Sequence, residues 1–388
     1  MFWRFVFGFV STALAGIVVW AAPPEGAQDG EFHGHPALVM ANGKIELKVL
    51  PFGGAMVSLT LIDDAEKMNP MWDSFRADIE AGKPIREGGS VGHFVCVDGF
   101  GPVSKEEGQA GLPGHGEAHT LPWVTQASAK QGKVSSLTQA VQLPRVHEVL
   151  TRTIELVDGE NVVYVNSSLK NLLAFDRPIC WAEHATIGSP FLDRGVTVVD
   201  MSRNRAMTRP HEGQRPRSHR LPSGVEFEWP MAPMIVGGKA DLRAAPNPSD
   251  SLDHTTHLMT GREHAFVTAL HPEKRLLLGY VFKTSESPWL QTWEHYPPQG
   301  MMARGLEFGT QAFDLSRRTV VTDNKLFGEL LYRWLPARSE IKTSFLMFWT
   351  RTPDGFQGVS EVEVKDGKIR IQDSGSGQSI TLAASRGL

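Results

Sequence analysis

Apolar and polar residues alternate with a period of two along most of the chain, which is the pattern of half-buried β-strands. Clear examples are IELKVL over 45–50, VVYVNSSLKNL over 162–172 and EVEVKDGKIRIQD over 361–373. Turn sequences of the Asp-Gly type separate neighbouring runs, as they do in hairpins. Only 63–69 and 72–82 favour short helices. The pattern therefore predicts an all-β sandwich or barrel of mainly antiparallel strands with few short helices.

The first residues follow a different pattern. A positively charged start precedes an apolar run over 5–20, and Val19 with Ala21 matches a small-residue cleavage site. This is the composition of a secretory signal. It predicts a signal peptide over 1–21, a flexible mature N-terminus over 22–38 and a single β-sandwich domain over 39–388. We therefore expect an exported protein, periplasmic or extracellular, with no membrane span after signal cleavage. An uncleaved N-terminal anchor is the alternative.

Composition narrows the range of partners. Hydrophobic residues make up 41% of the chain and charged residues 21%, which is typical of a folded globular protein. Lys and Arg total 39 against 43 Asp and Glu, so no basic excess exists to neutralise phosphates and nucleic acid is excluded as a general partner. The segment 203–220 is a local exception with six arginines. Its charge is typical of a solvated loop, and the alternative is a lip that attracts an anionic ligand such as an acidic sugar.

The two cysteines lie in apolar, strand-like stretches, Cys96 within HFVCV and Cys180 within RPICW. Export would allow them to form a disulfide, whereas burial in strands favours free thiols. Both states stay open from the sequence alone.

Candidate chemistry is confined to three short polar clusters in Gly-rich or apolar surroundings. They are His115-Gly116-Glu117-Ala118-His119, Glu183-His184 and Arg304-Gly305-Leu306-Glu307. A carboxylate and an imidazole that face each other can exchange protons near neutral pH, so these residue types suit general acid–base chemistry. Each cluster alone is a weak signal, because a single histidine in a strand is more often a core residue.

We expect no metal and no cofactor. His115 and His119 are four residues apart, but their Gly-rich segment does not favour a helix. A His-x-x-x-His zinc site needs both imidazoles on one helical face. The sequence also lacks a P-loop, a dinucleotide-binding fingerprint and the Gly-x-Ser-x-Gly turn of a serine hydrolase.

The order of several short motifs resembles the aldose 1-epimerase (galactose mutarotase)-like superfamily. The segments that carry the resemblance are Gly53-Gly54 between two strands, Asn69-Pro70-Met71-Trp72, His115-Gly116 followed by Trp123, Asp158-Gly159-Glu160-Asn161, Glu183-His184, and Leu306-Glu307-Phe308-Gly309-Thr310. Together they span roughly residues 40–350. The resemblance implies a galactose mutarotase-like β-supersandwich.

The resemblance also implies an activity, the interconversion of sugar anomers through ring opening. It implies that Glu307 takes the proton of the anomeric hydroxyl, that His184 protonates the ring oxygen and that His115 holds the developing charge. Arg304 and Trp293 are candidates for the floor of the sugar site, through hydrogen bonds and stacking.

Further candidate sugar contacts lie near these residues. His93 stands in the region where the family has an Asn-Arg pair that grips sugar hydroxyls, and Glu183 and His119 neighbour the two histidines of the site. The departures from the family pattern argue against ordinary galactose or glucose as the substrate. The expected partner is a carbohydrate, either a monosaccharide or the end of a glycan.

Two other functions remain open at this point. A non-catalytic carbohydrate-binding or cell-envelope glycan protein is the main alternative, since fold does not determine function. The loss of the Asn-Arg pair favours it, whereas the presence of all three acid–base residues favours catalysis. A glycan lyase or hydrolase needs an additional acid, and its candidates are Glu117, Glu183 and Glu294.

Overall fold

The computed structural model describes residues 26–86, 89–202, 205–211, 219–246 and 250–388. Within these ranges the chain forms 29 strands, three short α-helices and one 3₁₀ turn, which confirms the predicted all-β class. The predicted signal peptide lies outside the described residues, as does half of the basic segment 203–220.

The helices are α1 (Ser74–Glu80), α2 (Lys105–Gln109) and α3 (Arg317–Asp323), and the 3₁₀ turn is Ala118–Thr120. In chain order the strands are β1 (Gln28–Phe32), β2 (His35–Ala41), β3 (Ile45–Val49), β4 (Met56–Leu61), β5 (His93–Val97), β6 (Val124–Gln131), β7 (Val134–Leu143), β8 (Glu148–Val157), β9 (Val162–Asn171), β10 (Arg177–Ile179), β11 (Trp181–Gly188), β12 (Val198–Met201), β13 (Arg205–Thr208), β14 (Glu226–Glu228), β15 (Met231–Pro233), β16 (Lys239–Asp241), β17 (Ser251–Leu258), β18 (His264–His271), β19 (Leu276–Lys283), β20 (Trp289–Tyr296), β21 (Ala303–Gly305), β22 (Glu307–Gly309), β23 (Lys325–Leu326), β24 (Glu329–Leu330), β25 (Arg333–Leu335), β26 (Glu340–Arg351), β27 (Val359–Lys365), β28 (Lys368–Asp373) and β29 (Ser379–Ala383).

Two large antiparallel sheets form the body of the molecule. The larger sheet has the order β1-β2-β3-β4-β5-β11-β21-β20-β17-β13-β14, and β22 pairs with both β11 and β20. The second sheet has the order β12-β18-β19-β26-β9-β8-β7-β6. Neighbours in both sheets are often distant in sequence, so the middle of the larger sheet brings together strands from the first half and the last third of the chain.

The core lies between the two sheets. Leu47 and Leu59 from the larger sheet pack with Val163, Phe282 and Trp349 from the second sheet in one buried cluster. Period-two alternation places every second side chain of each strand in this layer. Burial of one such side chain contributes about 1.5–3 kcal/mol, so the register of each strand is strongly fixed.

A third sheet of β27, β28 and β29 covers the outer face of the second sheet. Val362 and Ile369 from the small sheet pack against Phe266 and Leu346. The turn between β27 and β28 is the predicted Asp-Gly hairpin, with both turn residues at positive φ (50° and 70°) as a type I′ turn requires.

The N-terminal hairpin corrects one prediction. The sequence predicts a flexible segment over 22–38, but in its described part, 26–38, β1 and β2 pair with each other and β2 pairs with β3. Phe32 and Ala37 are buried in a cluster with Phe75 of α1, so burial holds the hairpin on the domain. The sequence hid this hairpin because its turn, His33-Gly34, lacks the usual Asn-Gly or Asp-Gly signal.

Two helix predictions had different outcomes. The segment 72–82 contains α1, capped by the Asp73 side chain on the backbone N–H of Arg76. The segment 63–69 forms turns rather than a helix, which corrects that prediction. Asp64 there accepts a hydrogen bond from the backbone N–H of Met68 (2.9 Å), and such local side-chain bonds compete with helix formation.

The two cysteines are both buried and carry free thiols. Burial raises the pKa of each thiol, so both are poor nucleophiles. A separate finding concerns membranes: none of the helices in the described ranges has the length and apolar character needed to cross a bilayer.

Candidate active site

Strand β11 lies near the middle of the larger sheet, and its side chains point alternately to the core and to a cavity on the opposite face of the sheet. Ala185 and Ile187 point toward the second sheet and belong to the core. His184 and Thr186 point to the opposite face of the sheet, where they line a cavity. Directly opposed residues of antiparallel neighbours share a face, so Phe94 of β5, which pairs with His184, lies on the cavity face too.

The cavity has a volume of about 270 Å³. Its lining consists of Trp72, Ser90, His115, His184, Thr186, His254, Gln291, Trp293, Glu307 and Asp314. These residues come from β11, β17, β20, β22 and the segments between strands. All three residues predicted to act as acid, base and charge holder, Glu307, His184 and His115, therefore lie in one cavity; their chemical roles stay predictions at this point.

Glu307 and His184 form the central pair. His184 Nε2 lies 3.4 Å from Glu307 Oε1, and its Nδ1 forms a 3.0 Å hydrogen bond with the Thr186 hydroxyl. The imidazole stacks on Phe94 with ring centroids 4.2 Å apart, which fixes the plane of the ring. If the Thr186 hydroxyl donates to Nδ1, the proton of a neutral His184 lies on Nε2 and faces Glu307.

Two contacts orient the Glu307 carboxylate. The Gln291 side chain donates from Nε2 to Glu307 Oε2 (3.1 Å), and its own Oε1 accepts from the backbone N–H of Asp314 (2.8 Å). Gly305 lies directly against the other oxygen, since a Cβ at that position would be 2.0 Å from Glu307 Oε1. Glu307 Oε1 accepts no hydrogen bond from any described residue, so it is free to accept one from a bound molecule.

Burial shifts the pKa of both members of the pair. It raises the pKa of Glu307 well above its usual value, and the nearby Asp314 raises it further. It lowers the pKa of His184 well below its usual value, and His115 lowers it further. The pair therefore favours one shared proton and the uncharged forms, rather than a carboxylate facing an imidazolium.

The backbone presents His115 to the cavity in an unusual conformation. Its φ is +61°, in the left-handed region that non-glycine residues rarely adopt and that is often found at functional sites. His115 Nδ1 accepts a hydrogen bond from the backbone N–H of Gly101 (3.2 Å), which leaves Nε2 as the protonated nitrogen of the neutral ring. Gly116 is required beside it, because a Cβ there would lie 2.0 Å from the carbonyl oxygen of Val97.

Three residues predicted to contact sugar point away from the cavity, and this corrects their assignment. His93 and Glu183 face the second sheet, where Arg152 Nη2 donates to both oxygens of Glu183 (2.6 and 2.7 Å) and His93 Nε2 lies 3.0 Å from Oε2. Arg304 is fully buried and donates to the carbonyl oxygens of Leu242 and Arg243. The physical reason is alternation, since each of the three is one position out of phase with the cavity face.

The other two predicted contacts differ from each other. Trp293 of β20 lines the cavity, in agreement with its expected position. His119 is buried outside the cavity lining, with its ring 5.2 Å from that of Phe94 and 6.1 Å from that of His115. Burial lowers the pKa of His119 to about 4, so it is neutral near pH 7 and supports its neighbours without lining the cavity.

Sequence reasoning missed His254, Gln291 and Asp314. Gln291 could have been found from Trp293, because the two lie two positions apart on one strand and share a face. His254 pairs directly with Trp293 across β17 and β20, a register that the sequence does not contain. Asp314 lies in an irregular segment after β22, and no pattern marks it.

The arginines in the described part of the basic segment form ion pairs with carboxylates elsewhere in the protein. Arg209 donates from Nε to Asp314 Oδ1, and Arg220 binds both Asp253 and Glu294. Arg205 pairs with Glu226 on the surface. The predicted choice between a solvated loop and an anion-attracting lip depends on residues outside the described ranges.

Comparison with known proteins identifies the fold. Neither a family model nor a curated protein sequence matches the chain. A galactose mutarotase related enzyme from Lactobacillus acidophilus is 13% identical, with a TM-score of 0.54 over 82% of this chain and 98% of that one.

Two further solved structures agree with this result. A galactose mutarotase-like protein from Lactobacillus casei is 15% identical, with a TM-score of 0.52 over 81% of this chain and 100% of that one. A protein from Synechocystis is 12% identical, with a TM-score of 0.56 over 86% of this chain and 99% of that one. The resemblance seen in the sequence is thus confirmed for the architecture: the chain has the galactose mutarotase-like fold.

Proposed function

We propose that this protein is a carbohydrate-active enzyme of the aldose 1-epimerase type, which interconverts the anomers of a sugar. The observation that carries the proposal is the approach of His184 Nε2 to Glu307 Oε1 (3.4 Å) in a cavity, with Oε1 accepting no hydrogen bond from a described residue. An acid and a base that face one small cavity can act on one sugar ring.

The proposed reaction needs one proton on the pair. With the Glu307 carboxylate and the His184 imidazolium present, Glu307 takes the proton of the anomeric hydroxyl while His184 gives its proton to the ring oxygen. The bond between the anomeric carbon and the ring oxygen breaks, its electrons go to the ring oxygen, and the anomeric C–O bond becomes the aldehyde. The pair now holds its proton on Glu307, and ring closure on either face of the aldehyde reverses the transfer.

The pKa shifts support this scheme. Burial raises the pKa of Glu307 and lowers that of His184, so the two groups hold a single proton over a wide range of pH. The charged pair that starts the reaction is the less favoured form of the buried site, and ring opening converts it into the neutral carboxyl and neutral imidazole that burial favours. His115 Nε2, which carries the ring proton, is the proposed donor to the oxygen on which charge develops.

The size and walls of the cavity support a monosaccharide. A volume of about 270 Å³ lies just below the ~300–1,000 Å³ of sites for drug-sized ligands. Trp72 and Trp293 line it, and aromatic rings suit the apolar C–H faces of a sugar. The ring of Trp293 is itself stacked on His295 at an interplanar angle of 7°, which limits its rotation.

A direct test is to dissolve pure α-anomers of several hexoses and uronic acids and to follow their optical rotation with and without the protein. We expect acceleration of at least one sugar, and its loss in Glu307→Gln, which keeps the size of the side chain. Asp354→Asn is the control, since Asp354 is an exposed carboxylate on the surface. If no sugar is accelerated while several bind, the protein is a carbohydrate-binding protein without this activity.

We also propose export, on the basis of the N-terminal sequence. The mature N-terminus would then lie near Ala22, directly after the cleavage pattern of Val19 and Ala21. Mass spectrometry of protein recovered from a secreting host tests this. Protein that retains Met1 and stays in the cytoplasm would contradict it.

A further inference from the structure

The cavity contains a second carboxylate and imidazole, Asp314 and His254, besides the proposed catalytic pair. Both line the same cavity as Glu307. His254 Nε2 lies 3.8 Å from Asp314 Oδ2, which is too long for a direct hydrogen bond. His254 Nδ1 has no hydrogen-bond partner among the described residues. The two groups thus face each other across a gap.

Asp314 is held in place by contacts that leave one oxygen available. Arg209 donates from Nε to Oδ1 and from Nη2 to the backbone carbonyl, and Gln291 accepts from the backbone N–H. Gly101 packs directly against it, since a Cβ at that position would lie 2.5 Å from the Asp314 carbonyl carbon. Oδ2 is therefore fixed in space while Oδ1 is used by Arg209.

Strand pairing fixes His254 in the same way. It pairs with Trp293 across β17 and β20, and its backbone carbonyl accepts from the backbone N–H of Arg209 (3.0 Å). Burial lowers the pKa of His254 to about 4, so the ring is neutral near pH 7. With a carboxylate opposite Nε2, the tautomer that carries its proton on Nε2 is favoured.

The Asp314 carboxylate and the His254 imidazole on the two sides of the gap suit a bound hydroxyl group. A hydroxyl is both a donor and an acceptor, so it can donate to Asp314 Oδ2 and accept from His254 Nε2–H. An oxygen about 2.8 Å from each atom satisfies both bonds, because two atoms 3.8 Å apart can share such a neighbour. A carboxylate or phosphate would instead be repelled by Asp314.

We propose that Asp314 and His254 form a specificity subsite that binds one ring hydroxyl of the sugar, other than the anomeric hydroxyl on which Glu307 and His184 act. The inference rests on the proposed function for its substrate class, a neutral aldose. Asp314 and His254 touch the substrate but carry no proton in the reaction. They fix the ring so that its anomeric centre faces the catalytic pair.

The test is a double-mutant-type cycle that combines one substitution in the protein with the removal of one hydroxyl from the sugar. Aldohexoses are compared with their 2-, 3-, 4- and 6-deoxy derivatives in the wild type and in Asp314→Asn, which keeps an acceptor for Arg209. We expect the wild type to lose about 10- to 100-fold in kcat/KM for one deoxy sugar, because a hydrogen bond to a charged group is worth about 1.5–3 kcal/mol. Asp314→Asn should lose a similar factor for the parent sugar and little more for that deoxy sugar.

Binding provides a second measurement that does not need catalysis. The same cycle is repeated with equilibrium affinities from ligand-observed NMR, with Asp354→Asn as the matched control. If sugars bind without acceleration, the proposed function fails, and the affinity cycle still tests the subsite. Equal losses for every deoxy sugar in both proteins, or binding of no aldohexose at all, would overturn the inference.

Discussion

Two buried glutamates on neighbouring strands, Glu183 in β11 and Glu307 in β22, lie on opposite faces of the larger sheet. Arg152 donates to both oxygens of Glu183, and His93 adds a contact at 3.0 Å. Glu307 receives one hydrogen bond, from the neutral amide of Gln291, and its Oε1 faces His184 without accepting a hydrogen bond from any residue in the described part of the chain.

Their pKa values shift in opposite directions. Burial alone would raise the pKa of Glu183, but the charge of Arg152 and the hydrogen bond from His93 lower it below the usual value. Burial raises the pKa of Glu307, and Asp314 adds to this effect. A buried carboxylate beside a cation keeps its charge and is suited to structure, whereas one without a cation exchanges its proton and is suited to acid–base chemistry.

The largest expected difference is in stability. Glu183→Gln should lower the free energy of unfolding by about 3–5 kcal/mol at pH 7, because it leaves the buried Arg152 without its charged partner. Denaturant titration of both variants measures this. Glu307→Gln should be as stable as the wild type or more stable. Equal losses in the two variants would contradict the distinction between the two faces.

The sign for Glu307 follows from proton linkage. The folded state holds the proton of Glu307 more tightly than the unfolded state, since its pKa is raised. Stability contributed by this group is present below the ordinary glutamate pKa and is lost as the pH rises through the raised value. Glu307→Gln cannot ionise, so it avoids this loss of stability at neutral pH. Glu183 has a lowered pKa, so the stability that it contributes is lost only as the pH falls.

A smaller effect is expected when the Glu307 carboxylate is displaced rather than removed. Gly305→Ala would place a Cβ 2.0 Å from Glu307 Oε1, so the carboxylate must move. A displacement of about 1 Å can cost roughly 100-fold in rate, and we expect a loss of that order in kcat. Gly108→Ala is the control, because its nearest contact would be an ordinary 3.6 Å. Full activity in Gly305→Ala would show that the position of Oε1 is unimportant.

The pH dependence of kcat/KM should be bell-shaped, with a change of about tenfold per pH unit on each limb. The active pair holds one proton. On the alkaline side that proton is lost, with an apparent pKa above the usual glutamate value because burial raises the pKa of Glu307. On the acid side a second proton is gained, below the usual histidine value because burial lowers the pKa of His184. A single limb centred near the normal histidine pKa would contradict the shared proton.

The smallest effect concerns the orientation of His184. Thr186→Val keeps the shape of the side chain but removes the hydroxyl that contacts His184 Nδ1 at 3.0 Å. The loss of one neutral hydrogen bond is worth about 1 kcal/mol, so the rate should fall about fivefold. Steady-state kinetics measures this fall in rate. An unfolding midpoint equal to that of the wild type would show that the effect arises in the site and not from a loss of stability. No change in rate would show that Phe94 alone fixes the ring.

The sequence predicts the class of fold well, because period-two alternation and Asp-Gly turns are local signals. It also identifies the residues that the site brings together, His115, His184 and Glu307, through the order of short motifs. It fails for Glu183, because motif proximity does not tell which face of a strand a residue occupies. One position of register separates a core carboxylate from a cavity residue, and only the pairing of β11 with β5 and β22 settles it.

The remaining site residues depend on contacts between distant strands. His254 meets Trp293 through the register of β17 and β20, and Asp314 reaches the cavity from an irregular segment held by Arg209. Neither contact follows from composition or spacing, because both require the order of strands in the larger sheet. The prediction that Arg304 contacts the sugar was wrong for the same reason, since Arg304 pairs with Glu294 on the other face of that sheet.

The most direct test of the account is the rate of anomer exchange, followed by NMR on a sugar that the wild type accelerates, in Glu307→Gln and in Glu183→Gln under conditions where both are folded. Glu307→Gln should bind the sugar with nearly unchanged affinity and lose about 10²–10⁴-fold in rate, the usual contribution of a positioned acid–base group. Glu183→Gln should keep most of its rate once folded. Equal acceleration by the wild type and Glu307→Gln would contradict the assignment of Glu307 as the base.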